Sequence, residues 1–175
     1  ALARAQDRLA LCEKHPEECE ALKDEMSTGG RVSFQQIDGY TALRAMLPPV
    51  EKRALVLIDP SFEEQDEFAQ IVDGLGEALK RFPSGTYAIW YPLTERARVD
   101  AFFERLQTLS LPPSWVAEVA IAGEYYGLKM RGCGLVVLNP PWQLDTEIKP
   151  WLGALASRLA QTKGAEARLA WLVHE

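Results

Sequence analysis

Ala54-Leu55-Val56-Leu57-Ile58-Asp59-Pro60-Ser61-Phe62 decides the fold: an unbroken apolar run stops on an acid, a proline, a small residue and an aromatic. Such a run, bounded by turn chemistry, predicts a strand buried on both faces, as in a parallel sheet covered by helices. Asp59 then stands at the carboxyl end of the strand, where open α/β sheets bind their ligands. The plain alternative is an Asp-Pro turn that returns Phe62 to the core.

The flanking sequence alternates in the same way. Upstream, Arg8 to Glu13 predicts a short strand, and Pro16 with Glu17 and Glu18 opens a polar helix that runs through Met26 and ends at Gly29-Gly30. Val32 to Asp38 alternates as a strand, Gly39 offers the backbone freedom to turn, a helix runs from Tyr40 to Leu47, and Pro48-Pro49 stops it. Downstream, Phe68, Ile71, Val72, Leu75 and Leu79 form a helical stripe, and Thr86 to Tyr91 is a strand ended by Pro92. Val99, Phe102, Phe103 and Leu106 mark another amphipathic helix. Trp115–Ile121 and Gly132–Asn139 have no helix-length segment between them, which predicts an antiparallel hairpin. A helix over 145–159 and a strand over 167–173 complete the order β-α-β-α-β-α-β-α-β-β-α-β. This is the pattern of one α/β domain over residues 1–175, its sheet mostly parallel with an antiparallel element near the C-terminus.

Composition narrows the function classes. The chain has 175 residues, 47% of them hydrophobic and 25% charged, as in an ordinary soluble domain. No apolar stretch is long enough to span a bilayer and no charged-then-apolar leader opens the chain, so no membrane partner and a cytoplasmic location are expected. Cys12, Cys19 and Cys133 are odd in number and irregular in spacing, against a disulfide framework. With His15 and His174 they do not make a zinc set, so no metal is expected. The net charge of −6 disfavours whole-surface binding to nucleic acid but leaves room for a local basic groove.

Three successive strands end in acids, Glu13, Asp38 and Asp59, which the alternation aims into one crevice. Three independent helix caps would give the same pattern. A carboxylate in such a position grips ribose hydroxyls, and another accepts from an adenine amino group. An adenosine-containing cofactor is therefore expected.

Asp59-Pro60-Ser61-Phe62 resembles the Asp-Pro-Pro-Tyr/Phe motif of S-adenosylmethionine-dependent amino methyltransferases. Glu13-Lys14-His15-Pro16, Asp38-Gly39-Tyr40, Leu47-Pro48-Pro49, the strand into Asp59-Pro60, Gly134 to Trp142 and Trp171-Leu172-Val173 together look like the RlmJ family, which methylates adenine N6 in large-subunit (23S) ribosomal RNA. That family has also been labelled as taking part in catabolism of external DNA. The resemblance runs through essentially the whole chain and implies a Rossmann-like methyltransferase fold. It also implies a missing N-terminal strand and glycine-containing cofactor loop, so the chain looks like the C-terminal part of such a protein, with the missing strand's two neighbours left as unpaired edges. Ser61 departs from the motif's second proline.

The resemblance assigns roles residue by residue. Glu13, Asp38, Gly39 and Asp59 would line S-adenosyl-L-methionine, and Asp59, Pro60 and Phe62 would be catalytic. Adenine's exocyclic amine is a poor nucleophile because its lone pair is delocalised. If the Asp59 carboxylate and the Pro60 carbonyl each accept one amine hydrogen, the nitrogen can move toward tetrahedral geometry, and Asp59 can take the proton. Phe62 would stack on a base drawn out of its helix or loop. Tyr125, Lys129 and Arg131, beside glycines, would contact ribosomal RNA, although an exposed hairpin tip has the same composition. Asn139-Pro140-Pro141-Trp142 is a rival motif, read as a structural turn because too little chain follows it. A monomer is expected at full length. Two other classes stay open: a catalytically silent, truncated nucleic-acid-binding or structural module, and a different α/β enzyme using an adenine nucleotide.

Overall fold

A computed structural model describes residues 3–26, 31–64, 66–123 and 127–174. The chain divides into two compact units, Ala1–Leu47 and Pro48–Glu175. In the first unit, β1 (Leu9–Glu13) and β2 (Val32–Gln36) form a parallel two-stranded sheet, accompanied by α1 (Pro16–Met26) and α2 (Gly39–Met46).

The second unit holds β3 (Leu55–Ile58), α3 (Glu67–Arg81), β4 (Thr86–Pro92), α4 (Arg96–Gln107), β5 (Ser114–Ala120), β6 (Gly132–Leu138), α5 (Leu144–Leu159) and β7 (Glu166–Val173). Its sheet has the order β3-β4-β6-β5-β7. β3 and β4 are parallel, while β6 lies antiparallel between β4 and β5, and β7 is antiparallel to β5. Thus β3, β4 and β5 run one way and β6 and β7 the other. The expected order of strands and helices holds throughout and the expected hairpin is β5–β6, while the sheet expected to be mostly parallel is mixed, because β6 enters between β4 and β5 and β7 also runs against β5.

The helical stripes do what their spacing predicts. Phe68, Ile71, Val72, Leu75 and Leu79 of α3 and Val99, Phe102, Phe103 and Leu106 of α4 are buried. They cover the sheet face that carries Ile58, Tyr87, Ile89 and Tyr91, all buried. On the other face α5 packs Leu144, Ile148 and Leu152 against Trp115, Ala117 and Val137. This second layer does not reach β3: Leu55 and Leu57 are 69% and 64% exposed. The strand expected to be buried on both faces is therefore buried on one, because nothing among the described residues covers the other. Among the described residues β3 is an edge strand, and β1 pairs with β2 alone.

One row crosses four strands. The register places Tyr91 of β4 opposite Gly134 of β6, Gly134 opposite Glu118 of β5, and Glu118 opposite Arg168 of β7. The Tyr91 hydroxyl reaches over Gly134 and donates to Glu118 Oε1 at 3.0 Å. Arg96 Nη1 donates to both Glu118 oxygens at 3.1 Å, and Arg168 Nη1 to Oε2 at 3.1 Å. A carboxylate only 4% exposed is tolerable because it is paired and hydrogen-bonded. Burial, and then the Glu118 charge, push the Tyr91 phenol far up, so it stays a donor.

A methyl group on Gly134 would run into the Tyr91 ring. Gly134→Ala should therefore lower unfolding stability by about 1–3 kcal/mol, the usual cost of overpacking a filled core. Denaturant unfolding checks this, and unchanged stability would show that the ring has room to move.

Candidate active site

Parallel pairing sets Ile58 opposite Ile89, so Asp59 leaves β3 at the same sheet edge at which β4 ends. Asp59 is exposed, Pro60 is half-buried and Ser61 is exposed. No hydrogen bond or ion pair of the Asp59 carboxylate occurs among the described residues. Phe62 stands in the left-handed region, with φ 55°. For a bulky residue that conformation costs about 1–3 kcal/mol, which the surroundings must offset. Its ring packs edge-on against Phe68 and Trp90, with centroids at 5.0 and 5.8 Å. The turn thus folds Phe62 back onto the protein, as the plain alternative expected, and its half-buried ring sits three residues beyond the exposed carboxylate.

In the first unit the register pairs Glu13 with Gln36, so Glu13 and Asp38 lie at the same edge of the two-stranded sheet. Each already has a local duty. Glu13 Oε1 accepts from the His15 N–H at 2.8 Å, just ahead of α1. Asp38 is the N-cap of α2, its Oδ1 accepting from the Thr41 N–H at 2.8 Å. The capping alternative accounts for one oxygen of each acid. Gly39 opens α2 without a left-handed φ, so its conformational freedom is not what the turn uses; open space lies where a side chain would be. Carboxylates at strand ends beside a bare helix start suit the hydroxyls and amino group of an adenosine. Among the described residues no three His, Cys, Asp or Glu gather to hold a metal.

The rival motif lies elsewhere. Asn139 follows β6, whose Leu138 pairs with Tyr87 at the start of β4, so it occupies the sheet edge opposite Asp59. Its Nδ2 donates to the carbonyls of Pro83 and Gly85 at 2.7 and 2.8 Å, its N–H to Pro113 at 2.9 Å, and its carbonyl accepts from Thr86 Oγ1 at 2.9 Å. With φ 47° it is a left-handed turn residue whose amide ties two loops together.

Of the expected RNA contacts, Tyr125 lies outside the described residues, as does the Gly29-Gly30 stop. Lys129 is exposed. Arg131 is fixed at the Asp59 edge: its N–H donates to the Leu93 carbonyl at 2.8 Å and its carbonyl accepts from Ile121 at 2.7 Å. Sequence reading missed Glu118 with its Tyr91, Arg96 and Arg168 partners; Glu118 and the two arginines border a cavity of about 580 Å³. The available signal was a lone acid at an inward position of an otherwise apolar strand.

The family described as Ribosomal RNA large subunit methyltransferase D, RlmJ matches residues 1–173. Two curated proteins named Ribosomal RNA large subunit methyltransferase J, from Escherichia coli (strain K12) and Haemophilus influenzae, are 34% and 35% identical over 174 residues, or 99% of this chain. The chain spans 62% of the length of each. A crystal structure of a protein from Legionella pneumophila strain Philadelphia 1 superposes with a TM-score of 0.87 at 34% identity, over 95% of this chain and 61% of that one. A likeness of fold alone extends to the N-methyltransferase NodS from Bradyrhizobium japonicum, at TM-score 0.50 and 13% identity over 75% of this chain and 72% of that one. The α/β architecture is Rossmann-like and of the methyltransferase kind, and the chain belongs to the RlmJ family of ribosomal RNA large-subunit methyltransferases.

Proposed function

We propose that this chain is the part of an S-adenosylmethionine-dependent methyltransferase that holds and deprotonates the exocyclic amine of an adenine in large-subunit ribosomal RNA. The observation that carries the reading is the Asp59-Pro60-Ser61-Phe62 turn at the carboxyl edge of β3, in a chain of this family. Asp59 and the Pro60 carbonyl each accept one amine hydrogen, which frees the nitrogen lone pair, and Asp59 takes the proton as the new N–C bond forms. Phe62 stacks on the extruded base. Lys129 and Arg131, with Tyr125, contact the RNA. Glu13, Asp38 and Gly39 would hold the adenosine part of the cofactor, and Asp59 is assigned to cofactor binding as well as to catalysis. When bound, S-adenosyl-L-methionine supplies the electrophilic methyl group.

The two units belong to one methyltransferase domain, completed by the remainder of the relatives' length. The enzyme acts as a cytoplasmic monomer. A second reading, a catalytically silent module, draws on the exposed Leu55 and Leu57 and on the edge strands β1 and β3. Methyl transfer by the full-length protein separates the two, since a silent module transfers none.

Asp59→Ala should abolish methyl transfer to unmodified large-subunit ribosomal RNA while leaving the fold intact, because it removes a contact that matters most in the transition state. Asn139→Ala should lower stability by about 1–3 kcal/mol, through the loss of two hydrogen bonds of which the one to buried Gly85 has no ready replacement, with turnover per folded molecule unchanged. Radiolabelled transfer normalised to folded protein reads both, and the reverse pattern would move the active site to the Asn139 turn. In calorimetry on the full-length protein, Glu13→Ala should weaken S-adenosylmethionine binding by roughly 1.5–3 kcal/mol, the worth of a hydrogen bond to a charged group. Unchanged affinity would remove Glu13 from the site.

A further inference from the structure

The cavity beside Glu118 is lined by four cations, Arg96, Arg131, Lys149 and Arg168, against two acids, Glu118 and Glu166. This local excess stands out in a chain whose net charge is −6. Glu118 is fully occupied by the row already described, and it fixes both guanidiniums. Arg96 is already paired throughout, since Asp100 takes its remaining nitrogens at 2.7 and 2.8 Å. Arg168 differs: its Nη1 goes to Glu118, and its side chain is 43% exposed. Lys149 is exposed, with no hydrogen bond or ion pair among the described residues.

The shape points to a ligand that passes through. Four consecutive β7 residues, Glu166 to Leu169, line the cavity, and strand alternation puts Glu166 and Arg168 on one side of β7 and Ala167 and Leu169 on the other. The space therefore reaches round the outer edge of the last strand, with Arg168 on one side and Lys149, from α5, on the other. At its inner end lie Leu93, Ala120 and Arg131, on the same sheet edge at which Asp59 leaves β3.

We propose that this cleft is a backbone track for single-stranded RNA, in which Arg168 and Lys149 each hold a phosphate of the segment that leads to the Asp59 turn. The identity of the nucleic acid rests on the methyltransferase reading; the track itself rests on the charge and shape of the cleft. Phosphate contacts of this kind set register and orientation without reading bases. Glu118 is a positioning residue, holding the Arg168 guanidinium over the cleft.

The test is fluorescence anisotropy on the full-length protein with a labelled, unmodified large-subunit ribosomal RNA fragment across a range of salt concentrations. Lys149→Ala and Arg168→Ala should each weaken binding roughly fivefold and reduce the slope of log K against log salt by about 0.7, with about 1.4 for the pair. Arg168→Lys should keep the slope, and S-adenosylmethionine affinity should stay unchanged in every variant. Should Arg168→Ala fail to fold for loss of a Glu118 partner, Lys149→Glu at an exposed site still reads the slope. Wild-type affinity and slope in the folded double variant would overturn the proposal. The expected slope losses in a protein that transfers no methyl group would uphold the track and sink the enzymatic reading instead.

Discussion

The second unit depends on one buried hydrogen bond, from the Tyr91 hydroxyl to Glu118 across the bare backbone of Gly134. A carboxylate this deep must keep its donors, so β4, β6, β5 and β7 hold one register. A slip by one residue would send Glu118 to the other face and strand it. Aromatic packing adds to the same anchor, with Tyr91 against Phe102 and Phe103 and the Arg96 guanidinium over the Phe103 ring. Because β3 pairs with the β4 so fixed, the Asp59 turn inherits a defined edge, and Leu93 and Arg131 are held along it. The chemistry of the motif is local, but its placement is set by a polar row three strands wide beyond β4.

Much of this was legible in the residues. Periodicity located every strand and helix in order, because α3 and α4 each present an uninterrupted apolar stripe and the strands are bounded by Pro, Gly or acids. The hairpin of β5 and β6 followed from the short connection. The insertion of β6 between β4 and β5 was not legible, since pairing partners depend on which strand carries Gly134 beneath Tyr91, a relation that spans more than forty residues and has no local mark. Burial of the Ala54 to Ile58 run was over-read for a related reason. An apolar run reports what a strand is suited to, whereas exposure of Leu55 and Leu57 reports which covering layer is present.

The site residues divide by how far sequence logic carries. Asp59, Glu13 and Asp38 were marked by strand ends, and the structure keeps each at a strand end while showing the capping bonds that Glu13 and Asp38 also make. Phe62 adds something no pattern announces: a left-handed backbone held by two rings, which fixes the turn that follows Ser61. Glu118 lay hidden because an isolated acid in an apolar strand has no motif, although its cost in a buried position requires partners.

In the proposed function the Asp59 turn directs a methyl group to an adenine amine. Nucleoside mass spectrometry of unmodified large-subunit ribosomal RNA, incubated with the full-length protein and S-adenosylmethionine, tests it most directly. N6-methyladenosine is the expected new nucleoside, formed by the wild type and absent with Asp59→Ala. Methylation of a different base or of a ribose, or N6-methyladenosine formed equally well without the Asp59 carboxylate, would contradict it.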